Sequence, residues 1–365
     1  MKTHRILIMA GGTGGHVFPA LALAEALRAK GHQVTWLGTA NKIEAKVVPQ
    51  ARFEIDFLSI SSLRGKGFFT YIGTLFRLWR AVHQAVRVMQ QRKPELVIGL
   101  GGFAAGPGGL AARKLKIPLV IHEQNALAGL TNRVLAHFAT RVYTGFDGAF
   151  ANKKIKTETV GNPLRESFVK AVNKAAINRV STDLLHILVV GGSLGASALN
   201  QIVPKALALL PAGHFEIWHQ TGEKTLAMTQ DNYQQVNVPA KVLSFIDDMP
   251  TAYQWADVVI CRAGALTVAE LAAMGKAAIL VPLPSAADDH QRYNAEYLSK
   301  QGAGICLLQK DLTPEHLAAQ LTPWLTDLTA LTQLGQQARR LARLDATVIL
   351  AKKCEQLLNE IKKPA

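Results

Sequence analysis

Residues 5–19 read RILIMAGGTGGHVFP, and this stretch decides the fold. Its first half is a short apolar run without helical period, and its second half places four glycines around Thr13. The pattern predicts a strand, a tight loop and a helix whose periodic part covers 20–30. Glycines let the loop approach a ligand, and the N-terminus of the helix directs its free N–H groups and positive dipole end into the same space. The loop suits an anionic or hydroxyl-rich substrate, although an ordinary βα turn gives the same pattern.

His16 follows this loop in what should be the first turn of the helix. The helix dipole there disfavours the imidazolium form, so the ring should stay neutral and able to accept a proton near pH 7. We expect His16 to act as a general base, with a role in binding as the alternative.

Composition favours a globular chain of two domains, since 365 residues with 49% hydrophobic and 18% charged residues can form two full cores. The net charge of +15 is uneven. Residues 1–163 carry 22 Lys and Arg against 8 Asp and Glu, whereas residues 164–365 carry 19 against 18. A basic half suits nucleic acid, an anionic membrane surface or phosphorylated substrates.

Cysteine usage and hydropathy indicate the compartment. The cysteines, Cys261, Cys306 and Cys354, are scattered and form no C-x-x-C motif, which favours free thiols in a reducing cytosol. The apolar run behind the basic N-terminus stops at Ala10, too short for a signal peptide or a transmembrane helix. We therefore expect an intracellular chain without a membrane anchor.

An amphipathic and basic segment follows the third predicted strand. Apolar and aromatic residues recur at i, i+3, i+4 spacing over 68–89, with arginines around them. Such a helix either lies at a membrane interface or buries its stripe against the sheet. We expect Val82 to Met89 to be buried and the first part to face a membrane. The predicted membrane patch comprises Phe68, Phe69, Ile72, Leu75, Phe76 and Trp79.

The pattern of strand and glycine loop recurs along the chain. GLGGFAAGPGG at 99–109 is a second such loop, and HEQNALAGLTN at 122–132 places Asn125 after a strand, where open α/β sheets bind ligands. LLHILVVGGSLGASALN at 184–200 restarts the pattern. The sequence therefore predicts two Rossmann-like domains in tandem, divided at the Gly-Asn-Pro turn that ends at residue 163.

Several chemistries lack their motifs in this sequence. It contains no P-loop, no G-x-G-x-x-G, no H-E-x-x-H and no Asp-x-Asp, so we expect neither P-loop phosphoryl transfer nor a metal requirement. The remaining interpretation is an enzyme that holds a nucleotide diphosphate on the Gly191–Gly195 loop, with Ser193 donating a hydrogen bond. Glu270 would accept from the ribose hydroxyls. On its own, however, a carboxylate on a helix is more often merely solvated.

Nine ordered motifs carry a resemblance to a known family: MAGGTGGHVFPALALA, SSLRGKG, GGFAAGPGG, HEQNALAGLTN, VGNPLR, VVGGSLGASALN, FIDDM, CRAGALTVAEL and DDHQRYNA. Over residues 6–294 the chain resembles the MurG family of N-acetylglucosaminyltransferases in peptidoglycan synthesis. The resemblance implies an α/β GT-B fold, with two Rossmann-like doubly wound parallel-sheet domains facing a cleft. It implies an N-terminal acceptor and membrane-facing domain at 1–163, a UDP-GlcNAc-binding domain at 164–343, and a terminal helix at 344–365 that packs back on the first domain.

The resemblance also implies the substrates. They are UDP-GlcNAc and the undecaprenyl-diphosphate-linked MurNAc-pentapeptide, lipid I, whose 4-hydroxyl receives GlcNAc with inversion. No cofactor is implied. The implied location is the cytoplasmic face of the inner membrane, as a peripheral protein on anionic lipid with cell-wall synthesis proteins as partners.

Site residues carry over by motif. Thr13, Gly14, Gly15 and Asn125 would touch the donor sugar, Arg165 and Ser193 the UDP, and the Ile246 backbone the uracil. The stretch Ala265, Leu266, Thr267, Val268, Ala269 and Glu270 would line the nucleotide, with Gln291 on GlcNAc hydroxyls and Asn294 beside it. Gly101, Gly102, Gly106 and Gly108 would face the acceptor diphosphate.

Two rival functions remain open at this point. A UDP-GlcNAc 2-epimerase on the same scaffold would need no lipid acceptor and would interconvert free nucleotide sugars. A basic nucleic-acid-binding protein would fit the sequence pI of about 9.8, although no reading motif is present.

Overall fold

The computed structural model describes residues 2–59, 68–150, 154–173, 184–192 and 195–361. The chain divides into two compact units. Unit 1 comprises Met1–Arg165 together with Arg343–Ala365, and unit 2 comprises Glu166–Ala342. The boundaries predicted from the sequence, at 163/164 and 343/344, lie close to these limits.

The unit 1 sheet has short apolar central strands that are almost wholly buried, whereas the strands at its edges are partly exposed. Its strands are β1 (Arg5–Ala10), β2 (Gln33–Thr39), β3 (Glu54–Leu58), β4 (Leu96–Gly101), β5 (Leu119–Glu123), β6 (Arg141–Thr144) and β7 (Glu158–Thr159). They pair in parallel in the order β3-β2-β1-β4-β5-β6-β7. The strand order reverses between β1 and β4, the place where open α/β sheets bind ligands.

The unit 2 sheet repeats this topology with six strands. They are β8 (Leu185–Val190), β9 (Phe215–Gln220), β10 (Lys241–Leu243), β11 (Val258–Cys261), β12 (Ala277–Leu280) and β13 (Ile305–Cys306). They are also parallel, in the order β10-β9-β8-β11-β12-β13. The strand order reverses between β8 and β11. The predicted nucleotide loop, which follows β8, therefore starts at the equivalent point of the unit 2 sheet.

The helices alternate with the strands, as parallel crossover connections require. Those that follow the unit 1 strands are α1 (Gly14–Ala29), α2 (Glu44–Gln50), α3 (Phe68–Arg92), α4 (Ala105–Lys114) and α5 (Leu130–Ala136). Those of unit 2 are α6 (Glu166–Asn173), α7 (Ser197–Leu207), α8 (Leu226–Gln235), α9 (Met249–Trp255), α10 (Ala265–Met274), α11 (His290–Ser299), α12 (Pro314–Leu321) and α13 (Thr329–Arg340). The last helix is α14 (Ala346–Ile361).

The structure tests two helix predictions. Helix α1 begins at Gly14, so His16 lies in its first turn as predicted, and Pro19 is accommodated inside the helix. In α3, Val86 and Met89 are buried in the unit 1 core, which confirms the predicted burial of that part. Phe76 and Trp79 are exposed. The side chains of Phe68, Phe69, Ile72 and Leu75 lie outside the described residues.

Helix α14 packs on α1 within unit 1. Leu350, Cys354 and Leu358 on its inner face are buried in the same cluster as the β1 and α1 side chains. At its edge the Glu355 carboxylate accepts from Lys30 Nζ at 2.5 Å and contacts His32 Nε2 at 3.1 Å. Partial burial raises the pKa of Glu355, but these two partners outweigh it and hold that pKa below its ordinary value. Among the described residues, no helix has the length and apolar character that a membrane span requires.

Candidate functional site

The first glycine loop turns sharply between β1 and α1. Gly12 has a φ of +94°, a backbone conformation that glycine adopts without the cost of a side chain. Thr13 is the extended N-cap residue, and its carbonyl accepts from the N–H groups of His16 and Val17. His16 therefore sits in the first turn of α1, as predicted, and its ring is half-buried.

A buried carboxylate that the sequence analysis did not select holds this loop. Glu44, fully buried at the start of α2, accepts from the N–H of Gly12 at 2.9 Å. Its other oxygen accepts from Thr39 N at 3.1 Å and Thr39 Oγ1 at 2.5 Å. Gly11 lies directly against this carboxylate, with no room for a Cβ. The two backbone donors and the hydroxyl satisfy the charge and fix the loop.

The second glycine loop of unit 1 lies against the first. Gly101 has a φ of +102°, and a Cβ placed there would be 2.9 Å from His16 Nδ1. A Cβ on Gly102 would collide with the carbonyl of Gly11. Gly108 differs from these two, because it is buried in α4 against Met9 of β1 and its missing side chain is explained by helix packing. Gly106 is half-buried near Thr131.

The ring of His16 is connected to a buried polar chain. His16 Nδ1 lies 3.0 Å from Gln124 Oε1, and Gln124 Nε2 lies 3.1 Å from both His122 Nδ1 and the His122 carbonyl oxygen. His122 Nε2 in turn lies 2.9 Å from the carbonyl oxygen of Gly161. Burial lowers the pKa of His122 to about 4, against smaller opposing effects of the Gly161 hydrogen bond and the Glu123 charge. Neither His122 nor Gln124 was predicted from the sequence as a site residue.

The predicted donor-sugar residue Asn125 lies two residues past β5, in a loop organised by Glu123. The buried Glu123 carboxylate accepts from Asn125 N at 2.9 Å and Asn125 Nδ2 at 3.0 Å. It also accepts from Gly129 N at 3.1 Å and Asn132 Nδ2 at 2.9 Å. Glu123 thus gives Asn125 a fixed orientation, which was not evident in the sequence because its partners come from the loop and from the start of α5.

The unit 2 glycine loop is held by the main chain. Gly191 N donates to the carbonyl of Gln220 at 3.1 Å, and Gly195, with a φ of +76°, donates to the carbonyl of Gly192 at 3.0 Å. A Cβ on Gly195 would collide with the carbonyl of Thr221. The predicted UDP contact Ser193 lies outside the described residues.

A buried network of neutral groups supports this loop from α7. Asn200 Nδ2 donates to the Thr221 carbonyl at 3.1 Å, and its Oδ1 lies 3.0 Å from His219 Nε2. His219 Nδ1 lies 2.9 Å from the hydroxyl of Tyr233. Burial lowers the pKa of His219 to about 3 and raises the pKa of Tyr233, so both side chains stay neutral. These residues fix the end of β9 and the start of α7.

The predicted nucleotide residues cluster at the carboxyl edge of the unit 2 sheet. Ile246 N donates to Gln220 Oε1 at 3.2 Å, which ties the predicted uracil contact to the strand that holds Gly191. Helix α10 begins after the extended N-cap Gly264, so the stretch from Ala265 to Glu270 forms its first turns. Glu270 is buried rather than solvated, contrary to the common behaviour of lone helix carboxylates.

The remaining predicted residues take supporting positions. The fully buried Asn294 donates to the Ala263 carbonyl at 3.0 Å, which holds the turn before α10. Gln291 Oε1 accepts from Leu283 N at 3.0 Å, beside the end of β12. Arg165 belongs to unit 1, where its guanidinium lies 5.3 Å from the Phe18 ring centroid.

Unit 1 thus offers a histidine between two glycine loops, and unit 2 offers backbone donors and a carboxylate at a helix start. The first arrangement suits proton transfer, and the second suits a nucleotide diphosphate.

Comparison with known proteins identifies both halves. Residues 6–144 match the glycosyltransferase family 28 N-terminal domain, and residues 186–348 match the glycosyltransferase family 28 C-terminal domain. A protein of Shewanella denitrificans is 49% identical over 356 residues, 97% of each chain. One of Cellvibrio japonicus is 50% identical over 357 residues, 97% of this chain and 98% of the relative. Both are named UDP-N-acetylglucosamine--N-acetylmuramyl-(pentapeptide) pyrophosphoryl-undecaprenol N-acetylglucosamine transferase.

A solved structure agrees with these relatives. The crystal structure of Acinetobacter baumannii MurG is 40% identical to this chain, covers 97% of it and 99% of itself, and superposes with a TM-score of 0.80.

Proposed function

The chain belongs to glycosyltransferase family 28, and we infer that it transfers N-acetylglucosamine from UDP-N-acetylglucosamine to N-acetylmuramyl-(pentapeptide) pyrophosphoryl-undecaprenol. The observation that carries this conclusion is the 49–50% identity, across almost the whole chain, to relatives with that name. The products are UDP and the disaccharide-bearing lipid, lipid II. Neither the epimerase nor the nucleic-acid-binding alternative has comparable support.

Unit 2 holds the UDP portion of the donor in this proposal. The N–H groups at the start of α10 and the loop that begins at Gly191 bind the diphosphate, and Glu270 accepts from the ribose hydroxyls. The Ile246 N–H is already donated to Gln220, so the uracil contact falls to the Ile246 carbonyl. As the bond from C1 to the diphosphate lengthens, the same donors stabilise the charge on the leaving group.

Unit 1 performs the proton transfer. The acceptor 4-hydroxyl attacks C1 from the face opposite UDP, and His16 Nε2 takes its proton, which gives inversion through an oxocarbenium-like transition state. Thr13, Gly14, Gly15 and Asn125 contact the donor sugar. Gly101, Gly102 and Gly106 form the backbone surface for the acceptor diphosphate, while Gly108 contributes only packing.

We propose that the transfer needs no metal ion or cofactor, an expectation that rests on the sequence lacking an Asp-x-Asp motif. Turnover should be unchanged by a chelator such as EDTA. Loss of turnover on chelation, with recovery on adding Mg²⁺ or Mn²⁺, would contradict this.

We propose that α3 brings the enzyme to the inner face of the cell membrane as a peripheral protein. Phe76 and Trp79 are exposed, their rings stack 5.9 Å apart, and the helix also carries arginines. Exposed aromatics on a basic helix favour insertion among anionic lipid headgroups. Replacing both aromatics with serine should release the protein from anionic vesicles and leave UDP affinity unchanged. The matched control is Leu209→Ser, an exposed apolar residue of unit 2. Equal vesicle binding by all three proteins would exclude this surface.

The test of function is incubation with radiolabelled UDP-GlcNAc and a lipid I analogue. Label should move to the lipid and UDP should be released in equal amount. Conversion of UDP-GlcNAc to its 2-epimer without labelled lipid would support the epimerase instead. Salt-dependent binding to DNA or RNA without affinity for UDP-GlcNAc would support the nucleic-acid alternative.

A further inference from the structure

A buried chain of hydrogen bonds in unit 1 has only one consistent assignment of protons. It starts at the carbonyl oxygen of Gly161, which can only accept. His122 Nε2, at 2.9 Å, must therefore carry a proton and donate it. Because His122 is neutral, its Nδ1 then carries a lone pair and accepts.

The next member of the chain is the amide of Gln124. Its Nε2 faces two acceptors, His122 Nδ1 and the His122 carbonyl oxygen, both at 3.1 Å. An amide nitrogen has two protons to donate, so this orientation satisfies both acceptors, and the flipped orientation would place an oxygen against them. The Oε1 atom of Gln124 must point the other way, towards His16.

The last link is His16 itself. Its Nδ1 lies 3.0 Å from Gln124 Oε1, which only accepts, so Nδ1 carries the proton. In a neutral imidazole the lone pair then resides on Nε2. We propose that Gln124 is a positioning residue that holds His16 in the Nδ1-protonated tautomer, with buried His122 fixing the orientation of the Gln124 amide. This inference rests on the proposed role of His16 as base.

The assignment balances the reaction step. The O–H bond of the acceptor hydroxyl breaks and its proton goes to His16 Nε2. The hydroxyl oxygen forms a bond to C1 of the donor sugar, and the electron pair of the broken C1–O bond leaves with UDP. In the other tautomer Nε2 would carry a proton and could not accept another.

Burial keeps the chain intact. His122 and Gln124 are each at most 1% exposed, so water does not compete for their hydrogen bonds. Charged groups of the neighbouring segments are engaged elsewhere: Glu123 accepts from its own loop and Asn132, Glu44 accepts from Gly12 and Thr39, and Arg343 donates to the Thr159 carbonyl. Protonation of His122 would turn Nδ1 into a donor facing the amide nitrogen of Gln124. Its low pKa prevents this throughout the neutral range.

The direct test is the tautomer of His16 by ¹⁵N NMR of the imidazole nitrogens, with the His16 signals assigned by their loss in His16→Gln. The full-length protein should show an acceptor-type shift at Nε2 and a protonated-type shift at Nδ1. In Gln124→Leu the two shifts should move towards an average of both tautomers. The control Gln301→Leu, at an exposed position two residues past the end of α11, should leave them unchanged. A protonated Nε2 in the native protein would overturn the assignment.

Kinetics then separate positioning from packing. Gln124→Leu should lower kcat by roughly 10- to 100-fold, less than loss of the base itself, while KM for UDP-GlcNAc stays within about twofold. A KM increase without loss of kcat would overturn the positioning role.

Gln124→Met serves as the second variant if the leucine variant does not fold, because its unbranched side chain is closer to glutamine in shape. It also removes the oxygen that accepts the Nδ1 proton, so the two His16 shifts should again move towards an average of both tautomers. Native His16 shifts in Gln124→Met would overturn the inference.

The failure of this inference is distinguishable from failure of the proposed base. If His16→Gln keeps normal turnover, His16 is not the base, and the tautomer measured by NMR no longer bears on catalysis. If His16→Gln is inactive but Gln124→Leu keeps both the native tautomer and native kcat, the base stands and the positioning role of Gln124 is wrong.

Discussion

The two glycine loops that follow β1 and β8 occupy equivalent places in sheets of the same strand order. They differ in what holds them. The first is bound by the buried carboxylate of Glu44 and packs against Gly102. The second is bound by the main-chain carbonyl of Gln220, and it lies against Thr221, whose carbonyl accepts from Asn200. The same strand order thus supports one loop held by a buried carboxylate and followed by a histidine, and another whose described glycines are held by main-chain hydrogen bonds.

The hydrogen-bond chains of the two buried histidines also differ between the units. Burial holds both His122 and His219 neutral, with pKa values of about 4 and about 3. The chain from His122 ends at the half-buried His16, whereas the chain from His219 ends at the fully enclosed Tyr233. The network in unit 1 therefore reaches a partly exposed histidine, the proposed base, whereas the one in unit 2 stays within the core.

Removing the proton acceptor should give the largest effect. His16→Gln should lower kcat by about 10²–10⁴-fold, the range expected for a general base. UDP affinity, measured by calorimetry, should be unchanged because unit 2 binds the nucleotide. Turnover of His16→Gln close to that of the native enzyme would show that His16 is not the base. The proposed division of roles between the two glycine loops would then be wrong.

The next prediction concerns nucleotide binding by Glu270 of unit 2. Glu270→Gln should weaken UDP binding by roughly 10- to 100-fold, since hydrogen bonds to a charged group contribute about 1.5–3 kcal/mol. The ¹⁵N shifts of His16 should stay as in the native protein. Glu315→Gln, on the exposed face of α12, is the matched control. Equal UDP affinities for the native protein, Glu270→Gln and Glu315→Gln would show that Glu270 does not bind the ribose.

A single methyl group tests the contact between the unit 1 loops. Gly101→Ala and Gly31→Ala both place alanine at positive φ, which costs about 1–2 kcal/mol of stability. A Cβ at Gly31 meets nothing within 4 Å, whereas one at Gly101 meets the His16 ring. Only Gly101→Ala should lower kcat, by roughly tenfold, through displacement of the ring. Equal kcat in the two variants would show that the contact does not position His16.

The smallest expected effect concerns Glu44, the buried carboxylate that binds the first glycine loop. Glu44→Gln should lower the free energy of unfolding by about 1 kcal/mol, because an amide nitrogen replaces one oxygen that accepts from N–H groups. Glu54→Gln removes an exposed ion pair with Arg92 and should cost less than this. Chemical denaturation of both variants gives the comparison. A larger loss of unfolding free energy in Glu54→Gln than in Glu44→Gln would show that Glu44 does not stabilise the loop.

Much of the fold followed from local patterns. The apolar runs and glycines of 5–15 and 184–195 predicted both central strands and their loops, because glycine and strand periodicity act over a few residues. The position of α14 came from the family resemblance, since its amphipathic spacing does not say which core it covers.

The supporting polar residues could not be found in the same way. Glu44 is one acidic residue in a stretch without other signals, and its partners Gly12 and Thr39 come from two other segments. Gln124 stood beside the selected Asn125, but its importance depends on His122 and Gly161, which only the fold brings together. Gly108 shows why glycine is an ambiguous signal, because its packing against Met9 already requires the absence of a side chain.

In the proposed function, unit 2 binds UDP and unit 1 carries the base. Titration of the full-length protein with UDP alone, followed by backbone amide chemical shifts, tests this division. We expect the largest changes at Ile246 and from Ala265 to Glu270, with little change from Gly11 to His16. Saturable changes centred on the first glycine loop, with Glu270 and its neighbours unmoved, would contradict it.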